Sequence, residues 1–299
     1  IKFFDGGMGS MLNLAAGELP EKLNISDPEM VFAVHDAYAK AGAQFITANT
    51  FGANSLKYDN VDELVKAGVA LAKKAGKKVA LDLGPTGKLL KPMGDLEFEK
   101  AVELFGEVVR AGKDGSDVAI IETMSDMYEL KAAVLAVKEN SDLPIITSMI
   151  FDESGRLLTG GDVKSAVAML EGLRVDAIGF NCGLGPKQMI PLVKELRECT
   201  SLPIIVMPNA GLPESVDGKT VYNVSPDEFA NDMKEIAELG VSILGGCCGT
   251  TPAHIKRMIE LCKDIDDNIP EKKNDTVVCS YSTSVTIGQK PVVIGERIN

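Results

Sequence analysis

Several large protein classes are excluded by what this chain lacks. No stretch of its 299 residues approaches the roughly 18 uninterrupted apolar residues of a membrane helix, and no basic-then-apolar segment opens it as a secretion signal would. A soluble, cytoplasmic protein without a membrane partner is the expectation. Dense clusters of Lys and Arg are also missing, and the formal charge is -12. That removes the electrostatic footprint of a nucleic-acid binder. Histidine is scarce: His35 and His254 are the only two, too few for a His-built centre. Six cysteines are too few for a disulfide scaffold in so long a chain, and a reducing cytosol would keep them as thiols free to bind metal. Gly6-Gly7-Met8-Gly9 lacks the Gly-Lys-Ser/Thr ending of a phosphate-binding loop and does not read as a dinucleotide fingerprint.

What is present is a core and a rhythm. Hydrophobic residues make up 45% of the chain, enough for one large α/β domain or two ordinary ones. The first residue is Ile1 rather than Met, as in a piece of a longer protein. Short apolar runs alternate with turns and helical stretches about eight times, the pattern of a parallel sheet of βα units. The predicted strands are Lys2 to Asp5, Gln44 to Ala48, Lys78 to Leu83, Val118 to Glu122, Pro144 to Met149, Ala177 to Phe180, Pro203 to Met207 and Ser242 to Leu244. Helix starts fall between them. Ser26-Asp27-Pro28-Glu29 and Ser225-Pro226-Asp227-Glu228 read as capping boxes, and Thr251-Pro252 as a cap followed by a first-turn proline. Val31, Val34, Ala37, Tyr38 and Ala41 form one apolar stripe. An open doubly wound sheet would alternate in the same way, but eight strands in about 250 residues favour a (β/α)8 TIM barrel.

A barrel concentrates chemistry where strands end. The residues at those ends are Asp5-Gly6-Gly7, Asn49-Thr50, Gly84-Pro85-Thr86, Glu122-Thr123, Asn181-Cys182, Pro208-Asn209-Ala210 and Cys247-Cys248. Cys199, Cys262 and Cys279 lie elsewhere and read as ordinary small apolar residues. Cys182, Cys247 and Cys248 sit beside glycines at strand ends, and a helix beginning at Pro252 would favour thiolates near its N-terminus. Three thiolates suit zinc, with one tetrahedral corner left for a substrate. Such a site can bind an incoming thiol, which is only a few per cent ionised when free at pH 7, and hold it as thiolate. A vicinal disulfide of Cys247 and Cys248 is the redox alternative, and it leaves Cys182 unexplained. An α-ammonium would need acceptors such as Asp5 or Glu122, and an α-carboxylate would need donors such as the N–H groups of a glycine turn.

Asp5-Gly6-Gly7-Met8-Gly9, Asn49-Thr50-Phe51, Gly84-Pro85-Thr86-Gly87, Glu122-Thr123, Asn181-Cys182, Pro208-Asn209-Ala210-Gly211 and Gly246-Cys247-Cys248-Gly249-Thr250-Thr251-Pro252 together resemble the homocysteine S-methyltransferase family, from about Lys2 to Leu261. The resemblance implies an eight-fold barrel holding Zn2+ through Cys182, Cys247 and Cys248, with the sulfur of homocysteine as the fourth ligand. It also implies that Asp5, Glu122, Asn209 and the N–H groups of Gly6 and Gly7 recognise the amino-acid end. Asn49 and Thr50 stay unassigned, and His254 reads as a surface residue.

The barrel and its zinc site are thus expected over residues 1–262. From Lys263 to about Thr286 the chain turns polar and reads as a linker. The ending Pro291-Val292-Val293-Ile294-Gly295-Glu296-Arg297-Ile298-Asn299 is similar to the opening strand of the pterin-binding domain in cobalamin-dependent members of the family; the alternative is a strand packed on the same barrel. The first reading implies a longer parent chain carrying methyltetrahydrofolate and cobalamin domains, with methylcobalamin bound elsewhere as methyl donor. Relatives that use S-methylmethionine or betaine, and a non-catalytic structural or redox thiol site, are the competing readings.

Overall fold

A computed structural model describes the chain except residues 13, 15–17, 217–218, 289, 294 and 296–299. Eight parallel strands form one sheet: β1 (Lys2–Phe3), β2 (Phe45–Thr47), β3 (Lys78–Leu83), β4 (Val118–Met124), β5 (Ile145–Met149), β6 (Ala177–Asn181), β7 (Ile204–Met207) and β8 (Ile243–Leu244). From β2 to β8 each strand pairs with its sequence neighbour, and β8 pairs with β1. The β1–β2 seam is held by a bridge between Phe4 and Phe45, a bond from Gln44 N–H to the Phe3 carbonyl at 2.8 Å, and the Asp5 carboxylate, which accepts from Thr47 N–H. This is the (β/α)8 barrel rather than the open sheet.

Eight helices follow the strands: α1 (Pro28–Ala41), α2 (Val61–Lys74), α3 (Phe98–Gly112), α4 (Met127–Asn140), α5 (Val163–Gly172), α6 (Pro186–Cys199), α7 (Pro226–Glu238) and α8 (Pro252–Cys262). Period-two alternation sends one face of every strand inward. Phe4, Ala80, Val118, Ile120, Ile146, Ala177, Ile205, Met207 and Ile243 fill the lower interior. The same alternation carried towards the strand ends places Asp82, Ser148 and Asn181 on the inward face at the mouth. The larger apolar cluster lies between the strands and the helices.

Local details depart from the sequence reading in several places. The α1 cap is Asp27, whose carboxylate accepts from Met30 N–H at 3.2 Å; Ser26 instead ends a short helix and donates to the Lys22 carbonyl. The buried α1 face comprises Val31, Val34, His35, Tyr38 and Ala39, turned from the expected stripe so that His35 faces inward. Ser225 forms its capping box as expected, but His254 is buried rather than a surface residue. Its Nδ1 accepts from Thr251 N–H at 3.2 Å and its Nε2 donates to the Val224 carbonyl at 2.9 Å. A backbone N–H can only donate, so His254 is the neutral Nε2–H tautomer.

The segment after α8, read as irregular, contains a hairpin of Thr276–Cys279 and Ser284–Ile287. It lies against the barrel: Lys164 Nζ donates to Thr286 Oγ1 at 2.9 Å, and Tyr281, at the hairpin turn, donates to Asp126 Oδ2 at 2.6 Å. Cys279 is exposed on its first strand, not buried. The strand expected over Pro291–Asn299 falls largely outside the described residues.

Candidate metal and substrate site

Cys182 follows β6 directly, at φ 57° with Gly183 at φ 68°. Two successive left-handed residues turn the chain sharply, and Leu184 N–H closes the turn on the Cys182 carbonyl at 2.6 Å. Cys247 and Cys248 sit in the loop after β8, which is tied to the loop after β7. Cys247 N–H donates to the Pro208 carbonyl at 2.9 Å, Ala210 N–H to the Cys248 carbonyl at 3.0 Å, and Cys248 N–H to Asn209 Oδ1 at 3.1 Å. Thr250 Oγ1 donates to the Cys247 carbonyl at 2.6 Å and accepts from Gly7 N–H at 3.2 Å.

These loops bring the Sγ atoms of Cys182, Cys247 and Cys248 within 4.8 Å of one another, with Cys182 and Cys248 3.9 Å apart. All three are partly exposed. A tetrahedral zinc with Zn–S near 2.3 Å needs sulfurs about 3.8 Å apart, so this donor set fits that ion after a small contraction. The thiols also share charge. Bonds with Cys182 and Cys247, and a further one with Tyr222, pull Cys248 down to about 3. Cys247 is held well above the thiol range by its bonds to Cys182 and Cys248 and by burial. Cys248 is thus the thiol of the trio most easily ionised, and three thiolates side by side would need a cation.

Carboxylates occupy the other side of the mouth. Asp5 is pushed up to about 7 by burial, against bonds from Thr47 N–H at 2.9 Å and Thr47 Oγ1 at 2.7 Å. Glu122 is raised to about 8 by burial, then by the charges of Asp5 and Cys248. Asp82 is raised well above the carboxylate range by burial and by Glu122, Glu21 and Asp5, and its Oδ1 has no hydrogen-bond partner. Three buried carboxylates so close together raise one another's proton affinity, and a cation with several N–H donors would relieve that repulsion.

Gly6 and Gly7 lie where the loops after β1 and β8 touch. A Cβ on Gly7 would sit 2.7 Å from the Cys247 carbonyl oxygen, and one on Gly6 2.5 Å from Thr250 Oγ1. Their lack of side chains is thus required by packing against the cysteine loop. Asn209 is buried with Oδ1 committed to Cys248 N–H. Asn49 and Thr50 brace the frame: Asn49 Nδ2 donates to the Pro20 carbonyl and to Asn24 Oδ1, and Thr50 Oγ1 to the Asp82 carbonyl.

Asp82, Tyr222 and Tyr38 escaped the sequence reading, and Asn181 was picked out at its strand end without a role. Asp82 lies inside an apolar run, where only strand alternation would have pointed it into the mouth. Tyr38 sits in a helical stripe, yet its hydroxyl donates to the Thr250 carbonyl at 2.8 Å. Tyr222 follows the small hairpin of Glu214–Val216 and Lys219–Val221, and no local pattern links it to Cys248.

The barrel thus carries a trio of thiols at its mouth with buried carboxylates beside them. A family model of homocysteine S-methyltransferases matches residues 2–262, and the chain belongs to that family. It is 32% identical to the methionine synthase of Mycobacterium leprae over 99% of this chain and 28% of that protein, and equally so to that of Mycobacterium tuberculosis over 99% and 27%. The chain thus spans under a third of the length of these relatives. The homocysteine methyltransferase MmuM from Escherichia coli shares the fold. Its metallated form superposes with a TM-score of 0.72 at 23% identity, over 86% of this chain and 95% of that one. Its apo form gives 0.69 at 25% identity, over 87% and 95%.

Proposed function

We propose that this chain is the homocysteine-binding module of a cobalamin-dependent methionine synthase, with Cys182, Cys247 and Cys248 holding one zinc ion. The observation that carries this reading is the convergence of three sulfurs from two loops at the open end of the barrel. Zinc bound there supplies a Lewis acid that keeps a substrate thiol ionised at neutral pH. The chain's own residues do the rest. Asp5 and Glu122 accept from the substrate's α-ammonium, whose charge offsets the burial of their carboxylates. The Gly6 N–H and the Asn209 Nδ2 donate to the α-carboxylate, whereas the Gly7 N–H, expected to join them, is held by Thr250 Oγ1. Held at both ends, homocysteine would present its sulfur at the mouth, where methylcobalamin carried by another domain would supply the methyl group. The sulfur–carbon bond forms as the donor's bond to the methyl carbon breaks, the bonding pair staying with the donor, and the thiol proton leaves to solvent.

The match of this chain to about a quarter of two methionine synthases supports a multidomain parent. A second reading is a stand-alone methyltransferase using S-methylmethionine or betaine, and the coverage of 95% of MmuM favours it. Assaying the zinc-loaded chain with homocysteine and each donor separates them. Methionine formed from added methylcobalamin, and not from S-methylmethionine or betaine, is the expected result; the reverse pattern supports the stand-alone reading.

A further inference from the structure

We infer that Asn181 is a positioning residue that sets the spacing between the ammonium end and the sulfur end of the site, and so selects the length of the thiol amino acid. The inference rests on the proposed function and goes beyond it in naming what distinguishes homocysteine from a shorter thiol.

Asn181 is fully buried at the end of β6, and its amide makes four bonds across three other strands or loops. Oδ1 accepts from Thr123 N–H at 2.9 Å and from Ser148 Oγ at 2.8 Å. Nδ2 donates to Thr123 Oγ1 at 2.7 Å and to Cys247 Sγ at 3.8 Å. The orientation is fixed by chemistry, because a backbone N–H cannot accept; the oxygen must face Thr123 and an N–H must face the sulfur. With both acceptor and both donor positions filled, the side chain has no spare bond and one geometry.

Both ends of that geometry matter. On the β4 side, the register between β4 and β5 shifts, so that the step from Ile121 to Met124 faces the step from Thr147 to Met149. This bulge holds Glu122 and Thr123, and Thr123 has φ 62°, where a β-branched residue is rare. Two bonds from Asn181 hold Thr123 there, beside Glu122. On the other side the same amide faces Cys247. A single planar group therefore ties the carrier of the ammonium acceptor to a thiol ligand. Cys182, the next residue, supplies a second ligand from the same strand end.

Two variants test this in the full chain, loaded with Co2+ as a spectroscopic substitute for zinc. Asn181→Asp keeps the acceptor for Thr123 N–H but places a carboxylate oxygen against Cys247. Cobalt affinity should fall about 10–100-fold, with an altered thiolate-to-cobalt absorption band. Thr123→Ala touches no thiol, yet it removes the Oγ1 that anchors the amide. The ratio of homocysteine to cysteine affinity, measured by calorimetry, should fall about 10-fold, since one methylene is worth roughly 10–200-fold in a fitted site. A folded Thr123→Ala with the wild-type ratio overturns the inference even if Asn181→Asp fails to fold, and so does a folded Asn181→Asp with the wild-type band and affinity. A wild-type chain that binds neither cobalt nor homocysteine overturns the proposed function itself, and the inference with it.

Discussion

Among described non-glycine residues, only Thr123, Arg174 and Cys182 take left-handed backbone, and two of them flank the Asn181 amide. Each such residue costs on the order of 1–3 kcal/mol unless its surroundings hold it. That strain sits at the mouth, where Cys182 must turn back towards Cys248. Cys247→Ala should lower bound zinc from about one ion per chain to near none, measured by elemental analysis after dialysis, because two thiolates make a far weaker site than three. His35 shows a different kind of residue effect. It is fully buried, neither ring nitrogen has a partner, and burial lowers it to about 4. A lowered histidine favours the fold when neutral, so that contribution is complete above pH 6.5 and is lost as pH falls through about 4. His35→Leu should raise stability at pH 7 by about 1–2 kcal/mol in urea unfolding and weaken the acid loss. The three thiol positions were legible in the sequence because glycines flank them at strand ends. His35 was not, since helical periodicity could not tell its face from that of Ala37.

The eight barrel strands could be read as elements because each joins an apolar run to a polar or glycine turn. Their boundaries shifted where tertiary contacts decide: β4 runs on to Met124 through its bulge, and β1 and β8 shrink to two residues each. The bulge leaves no trace in composition. The hairpin of Thr276–Cys279 and Ser284–Ile287 was also invisible, because its alternation is short and half-exposed in a polar stretch. Its turn is anchored by Tyr281, which donates to Asp126 and meets Tyr128 edge-on at 4.7 Å. Tyr281→Phe should speed hydrogen exchange in the hairpin while leaving the barrel strands protected; equal exchange would show that the anchor does not hold it. At α7, Ser225→Ala removes the hydroxyl of a complete capping box. It should cost about 1 kcal/mol without changing metal content.

At the scale of the molecule, the barrel mouth opposes thiols to carboxylates, and the balance between them depends on pH. Glu122 is raised from 4.5 to about 8 by burial and then by Asp5 and Cys248. The fold therefore favours its protonated form. The stability it contributes is present in full below about pH 4.5 and is lost as pH rises through about 8. In the metal-free chain without substrate, the stability of Glu122→Gln relative to wild type should rise between pH 5 and 8, as read from urea midpoints. The fold class followed from the repeated rhythm of the sequence, but the convergence of Asp5, Asp82 and Glu122 on one acidic pocket follows only from barrel closure, which no local pattern contains. In the proposed function, the open end of this barrel completes a thiolate zinc site with the sulfur of its substrate. X-ray absorption at the zinc edge, with and without homocysteine, tests it directly. The sulfur ligands should rise from three to four when homocysteine is added; a count that stays the same contradicts coordination of the substrate thiol.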